Sequence, residues 1–233
     1  INVKEVELVG DSSKILVKKV KPNFKVLGPK FGKDINTVIS LIKNLSSSID
    51  KYESASMAVP GGTSPIKIFN ELSKQKLDWS KVQITLVDDR LVDPENEHSN
   101  QKLIKDCLLK NEAINSKFIP LNKNLHKDNN FKFPLDICLL GIGNDGHFAS
   151  LFPNMINNNN TLNPKTILNI NEIKANGDPF LPRISMNLPL ILSSKLIILI
   201  IKGKMKQEVL RDAYTNKNIP LYYLLNNRKN NLH

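Results

Sequence analysis

The residues with the most chemical potential lie in one glycine-rich run, Gly141-Ile142-Gly143-Asn144-Asp145-Gly146-His147-Phe148-Ala149-Ser150-Leu151-Phe152-Pro153. His147 is a group that exchanges protons near neutrality, and Asp145, two residues earlier, is an acceptor able to orient its ring. Gly141, Gly143 and Gly146 also spell the letters of a dinucleotide-binding turn, G-x-G-x-x-G. That turn needs a long following helix and an acid about 20 residues later. Pro153 ends any helix within about two turns, and asparagines fill the place of the acid. The match is coincidental, and a base with its orienting carboxylate is the better reading. A lone histidine is commonly structural; the glycine setting and two further polar loops argue for chemistry here.

The first of those loops is Val59-Pro60-Gly61-Gly62-Thr63-Ser64-Pro65. Its glycines allow close backbone approach, and amides with the Thr63 and Ser64 hydroxyls suit a phosphate. An ordinary tight turn with a hydroxyl cap fits equally well. It is not a Walker loop, since no Gly-Lys-Ser/Thr follows. The second loop reads Asp88-Asp89-Arg90-Leu91-Val92-Asp93-Pro94, then His98-Ser99-Asn100. Arg90 is suited to clamping a phosphate, and Asp88 to acid/base work or to accepting a structural hydrogen bond. The alternative is a solvated cluster in which Arg90 pairs with Asp89. His98 reads as a surface or capping residue.

Such loops need a frame. Helical spacing runs through Ile35–Ile49, and Ser64–Ser73 reads as a helix with Pro65 in its first position. Ser99–Leu109 reads as a helix capped by Ser99, and Lys204–Tyr214 as the last clear helix. Strands are expected at Ser56–Val59, Val82–Val87, Leu135–Leu140 and Lys195–Ile201. Apolar strands alternating with helices predict an α/β fold, a doubly wound, mainly parallel sheet with helices on both faces (Rossmann-like). In such sheets ligands bind at the carboxyl ends of the strands, where all three loops lie. Asn154–Asn163 is a polar, low-complexity insertion that predicts a surface loop.

Composition narrows the partners. Thirty-three Lys and Arg against 22 Asp and Glu leave a net charge of +11, which admits nucleic acid, a membrane surface or a phosphorylated metabolite. Only 6% of residues are aromatic and no stacking platform is apparent, which argues against a nucleic-acid partner. No apolar run approaches the roughly 20 residues of a membrane span. Cys107 and Cys138 are too few for a disulfide framework or a four-cysteine metal site. Both are expected as buried free thiols, consistent with a cytoplasmic location.

Taken together, the three loops, with Pro182-Arg183-Ile184-Ser185-Met186 and Gly203-Lys204-Met205-Lys206, resemble the 6-phosphogluconolactonases. The resemblance runs from about residue 35 to about residue 225, and the run ending Ala149-Ser150-Leu151-Phe152-Pro153 is its most specific part. It implies a doubly wound α/β fold and hydrolysis of 6-phosphoglucono-1,5-lactone to 6-phosphogluconate in the pentose phosphate pathway, without an obligatory cofactor or metal. It also implies that His147 activates water and that Asp145 orients it. The amides of Gly61, Gly62 and Thr63, with Arg90 and Lys206, would hold the phosphate, and Arg183 would line the same site. Ser64, Asp88 and Gly143 complete the expected substrate-binding set.

Three features depart from that pattern. Pro60 stands where a serine is usual, and Thr63-Ser64 invert the usual order. The chain stops at Leu232-His233, where relatives usually continue into an aromatic-rich strand, so an edge strand is expected to be lost. Residues 1–34 are off-pattern, and Val20–Lys33 is similar to a stretch near the C-terminal end of isoleucyl-tRNA synthetases, with none of their catalytic motifs. The expected organisation is an N-terminal segment, 1–34, and one domain, 35–233. Two other enzymatic or binding readings stand beside the lactonase. One is a glucosamine-6-phosphate deaminase/isomerase, which usually carries Asp-Glu-Tyr at positions 88–90 and Ile-Ala-Phe-Asn-Glu-Pro after the histidine. The other is a basic nucleic-acid-binding module centred on the N-terminal segment. An inactive relative retained for association is the third alternative. Oligomeric state is not legible.

Overall fold

The computed structural model describes residues 24–27 and 33–227. Its frame is a six-stranded sheet of β1 (Phe24–Leu27), β2 (Ala55–Val59), β3 (Val82–Leu86), β5 (Lys117–Phe118), β6 (Ile137–Gly141) and β9 (Leu196–Ile200). Their order is β1-β9-β6-β2-β3-β5, and every pairing is parallel. Side chains on a strand alternate between faces, and here both faces are covered. Met57, Ile84, Leu139 and Ile198 pack with Val38, Leu41 and Leu45 of α1 (Lys33–Tyr52) and with Phe69 of α2 (Ile66–Leu72) on one face. Ala58, Cys138, Leu140 and Leu199 pack on the other. Their partners there include Ile191 of α4 (Leu188–Leu192), Leu210 of α5 (Lys204–Asp212) and Leu221 of α6 (Pro220–Asn226). This is the expected doubly wound α/β arrangement, and it explains why the central strands read as continuous apolar runs.

A second sheet escaped the sequence pattern. Asp88–Arg90 is not a loop but β4, and it pairs antiparallel with β8 (Leu181–Met186), which pairs antiparallel with β7 (Ile170–Asn176). Three polar residues have little intrinsic strand preference. Their extended form comes from hydrogen bonds to a partner about 95 residues away in sequence. The strand expected at Val82–Val87 therefore ends at Leu86, and the chain crosses directly into the second sheet.

Other boundaries shift for local reasons. The helix expected from Ser64 starts at Ile66, because Pro65 forms the N-cap and no side chain caps it. Ser99 caps α3 (Asn100–Cys107) as expected, its hydroxyl accepting from the Lys102 amide at 3.3 Å. The Leu135–Leu140 run begins its strand at Ile137 and contains a buried acid, Asp136. Within Asn154–Asn163, Thr161 and Leu162 are buried, so that insertion is not wholly surface. Cys138 is buried and its thiol is pushed up to about 12 by burial, whereas Cys107 is only half-buried. The apolar pattern of α3 leaves Cys107 at the rim of its buried face.

β1 brings residues 24–27 of the off-pattern N-terminal segment into the sheet, in register with Ile197–Ile200. The segment's last two residues, Lys33 and Asp34, open α1; residues 1–23 and 28–32, and the expectation about the chain's end, fall outside the described residues. Among the described residues, no helix is long and apolar enough to cross a membrane.

Candidate active site

A cavity of about 230 Å³ opens at the carboxyl ends of the strands. It is lined by the Pro60–Ser64 turn after β2, by Asp88 and Arg90 of β4, by Asn100 at the start of α3, and by Gly141, Ile142, His147 and Ala149 after β6. Arg183 of β8 and Lys206 of α5 complete the wall. Nine of the residues expected from sequence thus share one cavity: Gly61, Gly62, Thr63, Ser64, Asp88, Arg90, His147, Arg183 and Lys206. Asp145 and Gly143 do not line it; they lie behind His147.

The His147 Nδ1 is 2.6 Å from an Asp145 carboxylate oxygen, and the same oxygen accepts from the His147 amide at 3.2 Å. Nδ1 therefore donates, which leaves Nε2 free to accept a proton. Burial would raise the Asp145 carboxyl, but the hydrogen bonds and charge of His147 outweigh it and hold the acid ionised, below its usual range. Gly143 explains how the pair fits so closely. A Cβ there would sit 2.2 Å from the His147 ring and 2.6 Å from the Asp145 carboxylate. Gly143 thus packs against the pair, its amide donating to the His147 carbonyl at 2.8 Å. The other face of the imidazole is covered by Phe152, with ring centroids 4.7 Å apart.

The three cations of the wall have uncharged partners. Arg90 Nη1 donates to the His98 carbonyl and the Asn100 side-chain oxygen, both at 2.9 Å. Its Nε is buried and unpartnered among the described residues. Arg183, almost fully buried, donates to the carbonyls of Asn176 and Pro179 at 2.8 and 2.9 Å and lies over the Phe152 ring. Lys206 Nζ reaches the Ser64 hydroxyl at 3.3 Å, its one hydrogen-bond partner among the described residues. Burial first, and for Arg183 also the charge of Arg90, pushes both groups below their ordinary values. Arg90 and Arg183 are directly opposite across the β4–β8 pair, an unfavourable pairing of like charges that an anion between them would relieve.

The expected alternative for Arg90, a pair with Asp89, is not what forms. The Asp89 carboxylate instead accepts from the amides of Arg90, Asn100 and Gln101, at 2.7, 2.6 and 3.1 Å. Burial raises its pKa, opposed by those three amides. Asp88 accepts from the buried Ser150 hydroxyl at 2.5 Å. Asn100, Ser150 and Phe152 are the site residues that sequence reasoning passed over. They stood inside quoted motifs, but an amide, a hydroxyl and a phenyl carry no signal until their neighbours are known. Among the described residues, no group of three or more His, Cys, Asp or Glu is placed to hold a metal.

A sequence model described as glucosamine-6-phosphate isomerases/6-phosphogluconolactonase matches residues 36–233. The chain belongs to this family. It is 37% identical to a 6-phosphogluconolactonase of Rhizobium meliloti over 180 residues, covering 72% of this chain and 77% of that one. A 6-phosphogluconolactonase of Helicobacter pylori is 32% identical over 204 residues, covering 79% and 84%. In three dimensions the fold is similar to a 6-phosphogluconolactonase crystal structure from Shewanella baltica, with a TM-score of 0.76 and 30% identity over 90% of this chain and 94% of that one. The Thermotoga maritima enzyme structure, at 22% identity and a TM-score of 0.74 over 86% and 94%, shows the same fold.

Proposed function

We propose that this chain hydrolyses 6-phospho-D-glucono-1,5-lactone to 6-phosphogluconate, the lactonase step of the oxidative pentose phosphate pathway, in the cytoplasm. The observation that carries the reading is the pairing, across one cavity, of an Asp-oriented imidazole with three cations whose hydrogen-bond partners among the described residues are uncharged. The curated relatives named above support it, as do the free thiols Cys107 and Cys138 for the reducing compartment.

In this reading His147 Nε2 takes a proton from water while the water oxygen bonds to the lactone carbonyl carbon. The tetrahedral intermediate collapses with cleavage of the bond from that carbon to the ring oxygen. The imidazolium returns its proton to the leaving oxygen, and the new carboxylic acid ionises to solvent. Asp145 fixes the tautomer and stabilises the imidazolium as it forms. Arg90, Arg183 and Lys206, with the Gly61–Ser64 turn, take the phosphate and so hold the lactone carbon against the water. Asp88 accepts from a sugar hydroxyl. The residues of this chain supply every step, with no cofactor.

Turnover of the phosphorylated lactone by the purified protein, above its spontaneous hydrolysis, tests the reading. Glucosamine 6-phosphate assayed alongside separates it from the isomerase activity within the same family description. Turnover of the amino sugar in place of the lactone would overturn it.

A further inference from the structure

Asn100 is 3% exposed and stands where three cavity elements meet. Its Nδ2 donates to the Asp88 backbone oxygen at 2.9 Å, which turns its Oδ1 towards Arg90 Nη1, also at 2.9 Å. Among the described residues the other anchor of that guanidinium is the His98 carbonyl. Two carboxylates lie close by, and each is engaged elsewhere: Asp89 by three amides, Asp88 by Ser150. Among the described residues the guanidinium is therefore held by neutral oxygens, with no carboxylate bonded to it directly. The neighbouring turn is shaped around the same side chain. A Cβ at Gly61 would lie 1.8 Å from Asn100 Oδ1, and its three nearest atoms all belong to Asn100.

We infer that Asn100 is a positioning residue that sets the preference for phosphorylated over unphosphorylated lactones, by fixing Arg90 through an uncharged oxygen. This rests on the lactonase reading above. The side chain has to be an amide for two reasons. An aspartate of the same shape would form an ion pair with Arg90, spending the attraction meant for a phosphate and repelling that phosphate besides. It would also set a carboxylate oxygen against the Asp88 carbonyl in place of a donor. Gly61 then owes its identity to Asn100 as much as to any ligand.

The test compares wild type, Asn100→Asp and Asn100→Ala on 6-phosphoglucono-1,5-lactone and on unphosphorylated glucono-1,5-lactone, with inorganic phosphate as competing inhibitor. For Asn100→Asp, KM for the phosphorylated lactone is expected to rise about tenfold or more and phosphate inhibition to weaken in parallel. The kcat should fall less than about threefold. Asn100→Ala, which only removes atoms, should lower the preference for the phosphorylated lactone less than Asn100→Asp does. It should also absorb most of the damage of Gly61→Ala in the double variant, because it clears the space the methyl needs. Equal losses on both lactones, or an unmoved KM in Asn100→Asp, overturn the inference while leaving the lactonase reading intact. Absence of wild-type turnover on the phosphorylated lactone overturns the lactonase reading itself. Should Asn100→Asp not fold, the alanine variant and its pairing with Gly61→Ala still decide.

Discussion

The two ends of the parallel sheet both gather charge, and they treat it in opposite ways. At the amino end, Asp136 is 3% exposed and takes Lys132 at 2.8 Å, Lys195 at 2.7 Å and the Ser56 amide at 2.8 Å. The two ammonium groups also sit over the Tyr52 ring, at 4.7 and 4.0 Å from its centre. Both oxygens of the buried acid are thus paired with cations, and the cluster ties β2, β6 and β9 together. At the carboxyl end, Arg90, Arg183 and Lys206 face a common cavity, and their hydrogen-bond partners among the described residues are neutral. Burying unmatched charge is costly, and the cost is tolerated where a ligand of opposite sign completes the set. Charge alone therefore does not mark the site; incompleteness does.

Breaking the carboxyl end should cost catalysis and leave stability nearly untouched. The largest effect is expected for His147→Ala, a fall in kcat of about 10²–10⁴ with KM little changed, read by steady-state assay. Asp145→Asn should lower kcat about tenfold or more, since it withdraws the charge that steadies the imidazolium. Arg90→Ala should instead raise KM for the phosphorylated lactone by roughly 10–100-fold, the weight of one or two charge-assisted hydrogen bonds. If it lowered kcat alone, Arg90 would not be a phosphate ligand.

Breaking the amino end should do the reverse. Asp136→Asn is expected to cost roughly 2 kcal/mol of stability, the weight of a hydrogen bond to a charged group, read by denaturant unfolding, with kcat within about twofold. Its pH dependence sharpens the contrast. Burial would raise the Asp136 carboxyl, but hydrogen bonds from Lys132, Lys195 and the Ser56 amide outweigh it and hold it below the ordinary value. A depressed acid stabilises the fold above its unfolded pKa of about 3.9 and loses that contribution as pH falls through the lower folded value. The stability gap between wild type and Asp136→Asn should thus be full at pH 6–7 and close progressively below about pH 4. A gap that stayed constant would mean that shape, not charge, does the stabilising.

The main sheet was legible because its strands are covered on both faces, which demands apolar runs such as Leu196–Ile200. The second sheet was not, because Asp88–Arg90 is extended only by virtue of its partner strand. The amino-end cluster was hidden for a similar reason: Asp136 lies within an otherwise apolar run, and its lysines come from positions 132 and 195. In the site, His147 and Asp145 are two residues apart, so spacing alone brought them together. Arg90 and Arg183 are 93 positions apart in the chain and meet only across two strands.

Periodicity and local spacing are written along the chain, and they suffice for the wound parallel frame, the two glycine-rich strand-end loops and the residue types that do acid–base and anion chemistry. Which charges pair with which groups was settled by folding. It turned Asp89 to amides, not to Arg90, and gave Arg90 the oxygen of Asn100. It also stacked Gly143 beneath the histidine. Pairing depends on distances between groups far apart in sequence, and those exist only once the chain has folded.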